Sequence, residues 1–257
     1  MVPEKSDQDT FMEHIYRYSF ALPYARNKDV LDIACGEGYG TAALLAGGAR
    51  SVVGIDIDAE AVEHARRKYN LQTRVGSAEE IPAADDEFDV VVSFETIEHV
   101  ANPERFLDEC VRVCRPGGQL VISTPNKNVY LDGEAPNQYH LSEMTPEEFM
   151  SCLSSRFKKV NLFGQILSQA PWWSPRICSV TTSPSFEIPG ILRIRSMLRN
   201  ACAPILFGNS QEGLREKPID RIVGRDSALS NLFNPYLVRD VNVNTEVPCY
   251  LIAVATL

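Results

Sequence analysis

VLDIACGEGYG, residues 30–40, decides the fold. The apolar run Val30 to Ile33 passes into a turn carrying Gly36, Gly38 and Gly40, and Thr41 to Ala46 then has helical character. Glycines at a strand-to-helix turn let the backbone approach a ligand closely and leave the first helical N–H groups free to bind it. Alone the motif is weak, because tight turns also use glycine for steric reasons. The spacing is G-x-G-x-G, and Thr41 stands where the dinucleotide fingerprint has its third glycine, which counts against NAD. Asp56 strengthens the case: it ends the next strand, in VVGIDID (52–58), where a carboxylate can accept both hydroxyls of a ribose.

Outward from that loop, strand and helix signals alternate. Residues 9–24 read as a helix with Asp9 as N-cap and Phe11, Ile15 and Phe20 on one side. Ser51 to Asp56 is a strand, and a helix follows through Ala61, Val62, Ala65 and Arg66. Strands are expected at Leu71 to Val75, Phe88 to Ser93 and Leu120 to Ser123, with a helix opened by Asn102-Pro103 between the last two. Such alternation with continuous apolar strands argues for an α/β protein whose parallel sheet is covered by helices on both faces. After Pro125 a polar loop is expected over 125–144, a helix over Thr145 to Leu153 and a strand over Lys158 to Phe163. Residues 166–247 look irregular, with adjacent Trp172 and Trp173, and Cys249 to Thr256 is strand-like. The expected organisation is a core over 1–165, an inserted lid over 166–247, and a last strand of the core sheet within 248–257.

A net charge of −9 and a pI near 5.0 disfavour a non-specific nucleic-acid binder, and no nucleic-acid partner is expected. MVPEKSDQDTFMEH lacks the layout of a signal peptide, and no apolar run approaches the ~18 residues that span a bilayer. Seven cysteines, an odd number, include no C-x-x-C pair, and Cys110 and Cys114 read as core packing. A reducing cytoplasm is the expected compartment.

VLDIACGEGYG, GIDID, the loop Gly76-Ser77-Ala78-Glu79-Glu80-Ile81-Pro82 and RPGGQLVISTPN (115–126) together resemble a class I S-adenosylmethionine-dependent methyltransferase. The resemblance runs from about residue 15 to 165. It implies a Rossmann-like, mostly parallel seven-stranded sheet with helices on both faces and the C-terminal insertion as a lid. It further implies that S-adenosyl-L-methionine lies over Gly36 and Gly38, with its ribose on Asp56 and its adenine beside Ser77, Ala78 and Glu79. Asp32, Ala34, Ile57 and Phe94 complete the expected cofactor contacts. Many relatives have Asp where this chain has Ser77. Arg17 could pair with the cofactor's carboxylate or be a solvated surface residue.

FETIEHV (94–100) follows the fourth strand and carries Glu95, Glu98 and His99 at i, i+3, i+4, which a first helical turn would bring together. Glutamate and neutral histidine are ligands for magnesium, manganese or zinc, and His140 in NQYHLSEMTPEEF is the candidate fourth. The pattern E-x-x-E-H, then S-T-P-N, then H-x-x-E-x-T resembles metal-dependent 2′-O-methyltransferases of small RNAs and the O-methyltransferases of ubiquinone synthesis. Carried over, the metal ligands are Glu95, Glu98, His99 and His140, and the catalytic residues His99, His140 and Glu95. The alternatives are a metal-free base at His99 or His140, or a structural role. Glu143 either orients His140 or faces solvent, and His14 and His64 read as surface residues.

EHIYRYSFA (13–21) is similar to bacterial methyltransferases found with polysaccharide and natural-product glycosylation enzymes, which points to a sugar hydroxyl as acceptor. Between Gly190 and Asp226, seven basic residues face four acidic ones, and ILRIRSMLRN suggests an amphipathic helix. That segment either meets an anionic substrate, with peripheral membrane contact through 190–200, or packs as a lid. The competing readings are a metal-free N- or C-methyltransferase using a histidine base and a non-catalytic cofactor-binding scaffold.

Overall fold

The computed structural model describes residues 8–130, 140–167, 178–181 and 249–257. Helix α1 (Gln8–Ala25) leads into β1 (Asp29–Ile33), α2 (Tyr39–Ala46), β2 (Ser51–Asp56), α3 (Ala59–Tyr69), β3 (Gln72–Val75) and β4 (Phe88–Phe94). Then come α4 (Pro103–Val113), β5 (Cys114–Pro125), a short α5 (Lys127–Tyr130), α6 (Pro146–Ser154), β6 (Lys159–Leu167), β7 (Cys178–Thr181) and β8 (Tyr250–Thr256).

The sheet runs β3-β2-β1-β4-β5-β8-β6-β7. The first five strands are parallel, and β8 lies antiparallel between β5 and β6. This is the expected seven-stranded sheet, with four-residue β7 added to its outer edge. Strand order reverses between β1 and β4, and ligands of open α/β sheets bind at that crevice, beyond the strands' carboxyl ends. Glycine loop, Asp56 and FETIEHV all sit at those ends.

Both faces of the central strands are buried, which is why β1 and β4 are mostly apolar, Asp32 and Ser93 being the buried polar exceptions. One core layer joins Leu31, Ile55, Val91 and Ile122 to Phe106 and Leu107 of α4 and Phe149 and Leu153 of α6. The other joins Val30, Val92 and Val121 to Ile15, Tyr18 and Leu22 of α1 and Leu44 of α2. Helix starts follow their signals. The Asn102 side chain accepts from the Arg105 N–H, and Thr145 and Glu148 form a reciprocal capping box. Cys110 and Cys114 are buried and free, as core packing requires.

The predicted polar loop over 125–144 begins later than expected, because β5 extends through Pro125 and α5 follows. Asn126 is fully buried and bridges to Met144, which anchors the far side of the loop. Within the stretch expected to be irregular, β6 continues to Leu167 and β7 is a strand; Trp172, Trp173 and the basic segment 190–226 lie outside the described residues. No helix among the described residues is long and apolar enough to cross a membrane.

Candidate functional site

The glycine loop is held by left-handed residues at alternate positions: Ala34 (φ 60°), Gly36 (φ 52°) and Gly38 (φ 82°). At Gly38 the requirement is doubled, since an added Cβ would also stand 2.5 Å from Ala65 Cβ on α3. Gly40 has another reason. A Cβ there would fall 1.9 Å from Tyr18 Cζ, so this glycine seats the Tyr18 ring of α1. Tyr18 in turn donates to Asp32 Oδ1 at 3.1 Å, and Thr41 donates to Asp32 Oδ2 at 2.6 Å.

Asp32 is fully buried beneath the loop with both oxygens engaged, so it braces the loop from below rather than facing a ligand. Burial pushes its carboxyl up to about 7, opposed by the donors Thr41 and Tyr18. Asp56 accepts the Gly36 N–H at 2.7 Å and the Asp58 N–H at 2.9 Å, which places its carboxylate at the loop's mouth. Next to it Ile57 is 75% exposed, an apolar surface a flat ring can cover. Glu79, half-buried in the loop after β3, has a structural task of its own. Its carboxylate accepts the Asn102 N–H at 2.8 Å, and its carbonyl accepts from Arg105, so it ties the loop after β3 to the start of α4. The Ser77 hydroxyl accepts the Glu79 N–H, and Ala78 packs on the core. Ser77, Ile81 and Pro82 line a cavity of about 600 Å³ whose rim charges, including Arg112 and Glu109, pair with one another. Phe94 is 6% exposed and packs edge-on against Tyr18, 5.0 Å between ring centroids.

Arg17 is not a surface residue: it is 1% exposed. Its guanidinium lies over the Tyr250 ring at 4.4 Å and donates to Gln165 Oε1 at 2.8 Å, while Nε has no partner. Among the described residues no carboxylate lies within ion-pair distance of it; Glu13, one turn earlier, accepts instead from the Tyr250 hydroxyl. His14 is likewise drawn in from the surface, and burial followed by the Arg17 charge holds its imidazole well below its usual range. His64 faces the glycine loop, 3.7 Å from Glu37.

FETIEHV does not form a helical turn. Glu95 adopts a left-handed backbone (φ 52°), residues 97–99 form a turn closed by the His99 N–H on the Thr96 carbonyl, and α4 begins only at Pro103. The three expected ligands therefore separate. Glu95 accepts from Ser123 Oγ at 2.7 Å, whereas Glu98 accepts from Thr124 Oγ1 at 3.2 Å. Ser123 and Thr124 are consecutive on β5, so these partners point to opposite faces of the sheet. Glu98, His99 and His140 come together, each offering a ligand atom within 4.8 Å of the others; Glu95 does not join them. Glu98 is fully buried, its Oε1 has no hydrogen-bond partner, and His99 Nε2 stands 3.9 Å away. Burial, then the charge of Glu95, raises its carboxyl well above the usual range. The His99 and His140 rings meet edge-on with centroids 5.0 Å apart.

Residues 31–122 match the family model for a methyltransferase domain. Over 148 residues the chain is 39% identical to a probable S-adenosylmethionine-dependent methyltransferase of Mycolicibacterium smegmatis, covering 56% of this chain and 57% of that protein. Over 105 residues it is 37% identical to a ubiquinone biosynthesis O-methyltransferase of Rhizobium etli, covering 39% and 42%. The chain thus spans about half the length of the curated relatives it matches. A solved S-adenosylmethionine-dependent methyltransferase from Archaeoglobus fulgidus aligns with a TM-score of 0.58 over 98% of this chain and 96% of that one, at 16% identity. The fold is therefore the Rossmann-like class I methyltransferase fold.

Proposed function

We propose that this chain is an S-adenosylmethionine-dependent O-methyltransferase acting on a hydroxyl of a sugar or another small polyhydroxyl molecule, with a divalent cation held by Glu98, His99 and His140. One observation carries the reading: a buried carboxylate with an unpartnered oxygen lies with two imidazoles, ligand atoms within 4.8 Å of one another, just beyond β4, the strand paired with the β1 that leads into the glycine loop. The matched methyltransferase domain, residues 31–122, contains the glycine loop, Glu98 and His99, and His140 joins them from beyond it.

The protein's own residues divide the work. Ala34, Gly36 and Gly38 present loop backbone to the cofactor, Asp56 receives its ribose, Ile57 covers its adenine near Ser77 and Ala78, and Phe94 borders its methionine arm. Arg17 is buried with no carboxylate at ion-pair distance among the described residues, which supports a cofactor whose carboxylate would offset that charge. When bound, the cofactor would supply a methyl group activated by its sulfonium and leave as the neutral thioether, the acceptor hydroxyl's proton passing to solvent. Glu98, His99 and His140 fit a hard or borderline cation, since Glu98 Oε1 is a buried acceptor lacking a donor. A bound cation would lower a hydroxyl pKa from about 15 and could chelate two neighbouring oxygens of a sugar. Glu95 is assigned no ligand role; paired with Ser123, it borders the site on the other face.

Metal content decides between this reading and a second one. Elemental analysis of protein incubated with S-adenosylhomocysteine and magnesium, manganese or zinc should give one equivalent for the wild type and none for Glu98→Ala, His140→Ala. Wild type without metal in every case would overturn the cation and favour a metal-free enzyme. The contact between His140 Nδ1 and Glu143 at 2.7 Å then makes His140 the base, with amines and activated carbons added to the acceptors to be screened.

A further inference from the structure

We propose that Glu143 is a positioning residue: it fixes the tautomer and orientation of His140 so that Nε2, not Nδ1, serves the site shared with Glu98 and His99. The inference rests on that cluster being the reaction centre.

His140 Nδ1 lies 2.7 Å from Glu143 Oε1, and the two side chains are only 13% and 21% exposed. An ionised carboxylate can only accept, so a neutral imidazole in this contact must carry its hydrogen on Nδ1. That leaves the lone pair on Nε2, the nitrogen on the ring's other side. The backbone keeps the pair in place. Leu141 and Ser142 both donate their N–H groups to the Glu98 carbonyl, at 2.7 and 3.2 Å, and the Ser142 hydroxyl donates to the Ile97 carbonyl at 3.3 Å. At the other end Lys127 donates to the Met144 carbonyl at 3.1 Å, next to the Asn126–Met144 bridge. Residues 140–144 are thus docked between the 97–99 turn and α5, and Glu143, by holding Nδ1, restrains rotation of the imidazole about its own bonds. A histidine whose second nitrogen is held by a carboxylate is both better oriented and more basic as a ligand or proton acceptor.

The test needs no acceptor substrate. Long-range proton–nitrogen spectra of full-length protein labelled at histidine nitrogen, recorded where the rings are neutral, report the tautomer directly; His140→Gln assigns the signal. The Nδ1–H form is expected in the wild type, the Nε2–H form in Glu143→Ala, and a mixture in Glu143→Gln, whose isosteric amide offers both a donor and an acceptor. Manganese titration followed by electron paramagnetic resonance should show a 10- to 100-fold weaker site in Glu143→Ala, with S-adenosylhomocysteine affinity unchanged. An Nε2–H ring in the wild type, or the same tautomer in both wild type and Glu143→Ala, would overturn the proposal. A wild-type ring locked as Nδ1–H in a protein that takes up no manganese would uphold the positioning role and remove the cation instead.

Discussion

Single residues in the glycine loop answer to different constraints. Gly38 must be left-handed and pressed against α3, while Gly40 is small because Tyr18 occupies its side-chain space. Gly40→Ala should cost about 1–3 kcal/mol, as overpacked sites do, and should displace the Tyr18 hydroxyl from Asp32; chemical denaturation and the Tyr18 environment would show both effects. Asp32 gives a pH signature. Its folded carboxyl is raised to about 7 from an ordinary value of 3.8, so between those limits the folded protein holds more protons than the unfolded chain. Stability from this group is therefore complete below about pH 4 and is lost as pH rises through 7. The loss is up to about 4 kcal/mol at ~1.4 kcal/mol per pKa unit. Asp32→Asn, which titrates nothing there, should gain on the wild type in melting temperature between pH 5 and 8; a constant difference would contradict the assignment.

Secondary-structure elements were the most legible part of the sequence. Strands β1, β4 and β8 are predominantly apolar because both of their faces are covered, and Asn102-Pro103 and Thr145-Pro146 announce helices by chemistry that acts within four residues. Asn102→Ala should cost about 1 kcal/mol by thermal unfolding, since the Arg105 N–H loses its acceptor. Phe106→Ala should cost about 3–5 kcal/mol, because Phe106 is fully buried where α4 meets the sheet. FETIEHV shows where such reading stops. Spacing i, i+3, i+4 assumes helical dihedrals, and the left-handed backbone of Glu95 removes that premise. The partner hydroxyls that pull Glu95 and Glu98 to opposite sides lie 28 and 26 residues away, respectively, on β5.

At the scale of the molecule, the site is assembled from segments far apart in sequence. In sequence Arg17 reads equally as a cofactor partner or a solvated helix residue, and only β6 and β8, which set Gln165 and Tyr250 beside it, remove the solvated reading. Likewise the third glycine looks like a cofactor contact until α1 packs across the loop. Distant contacts of this kind leave no local pattern, whereas the position of Asp56 beside the glycine loop and the meeting of His99 with His140 were legible from a strand end and from ligand chemistry. If Arg17 offsets the cofactor's carboxylate, then 5′-methylthioadenosine, which lacks the amino-acid end, should bind the wild type far more weakly than S-adenosylhomocysteine. Arg17→Met should narrow that gap; an unchanged ratio would place the missing anion elsewhere. The central claim, that the glycine loop and Asp56 hold S-adenosylmethionine, is tested most directly by titration calorimetry with S-adenosylhomocysteine on wild type and Asp56→Ala. One molecule is expected to bind per chain, weakened at least about tenfold in the variant by loss of a charge-assisted hydrogen bond to the ribose, with no heat from NADH. Binding of NADH instead, or S-adenosylhomocysteine binding indifferent to Asp56, would contradict it.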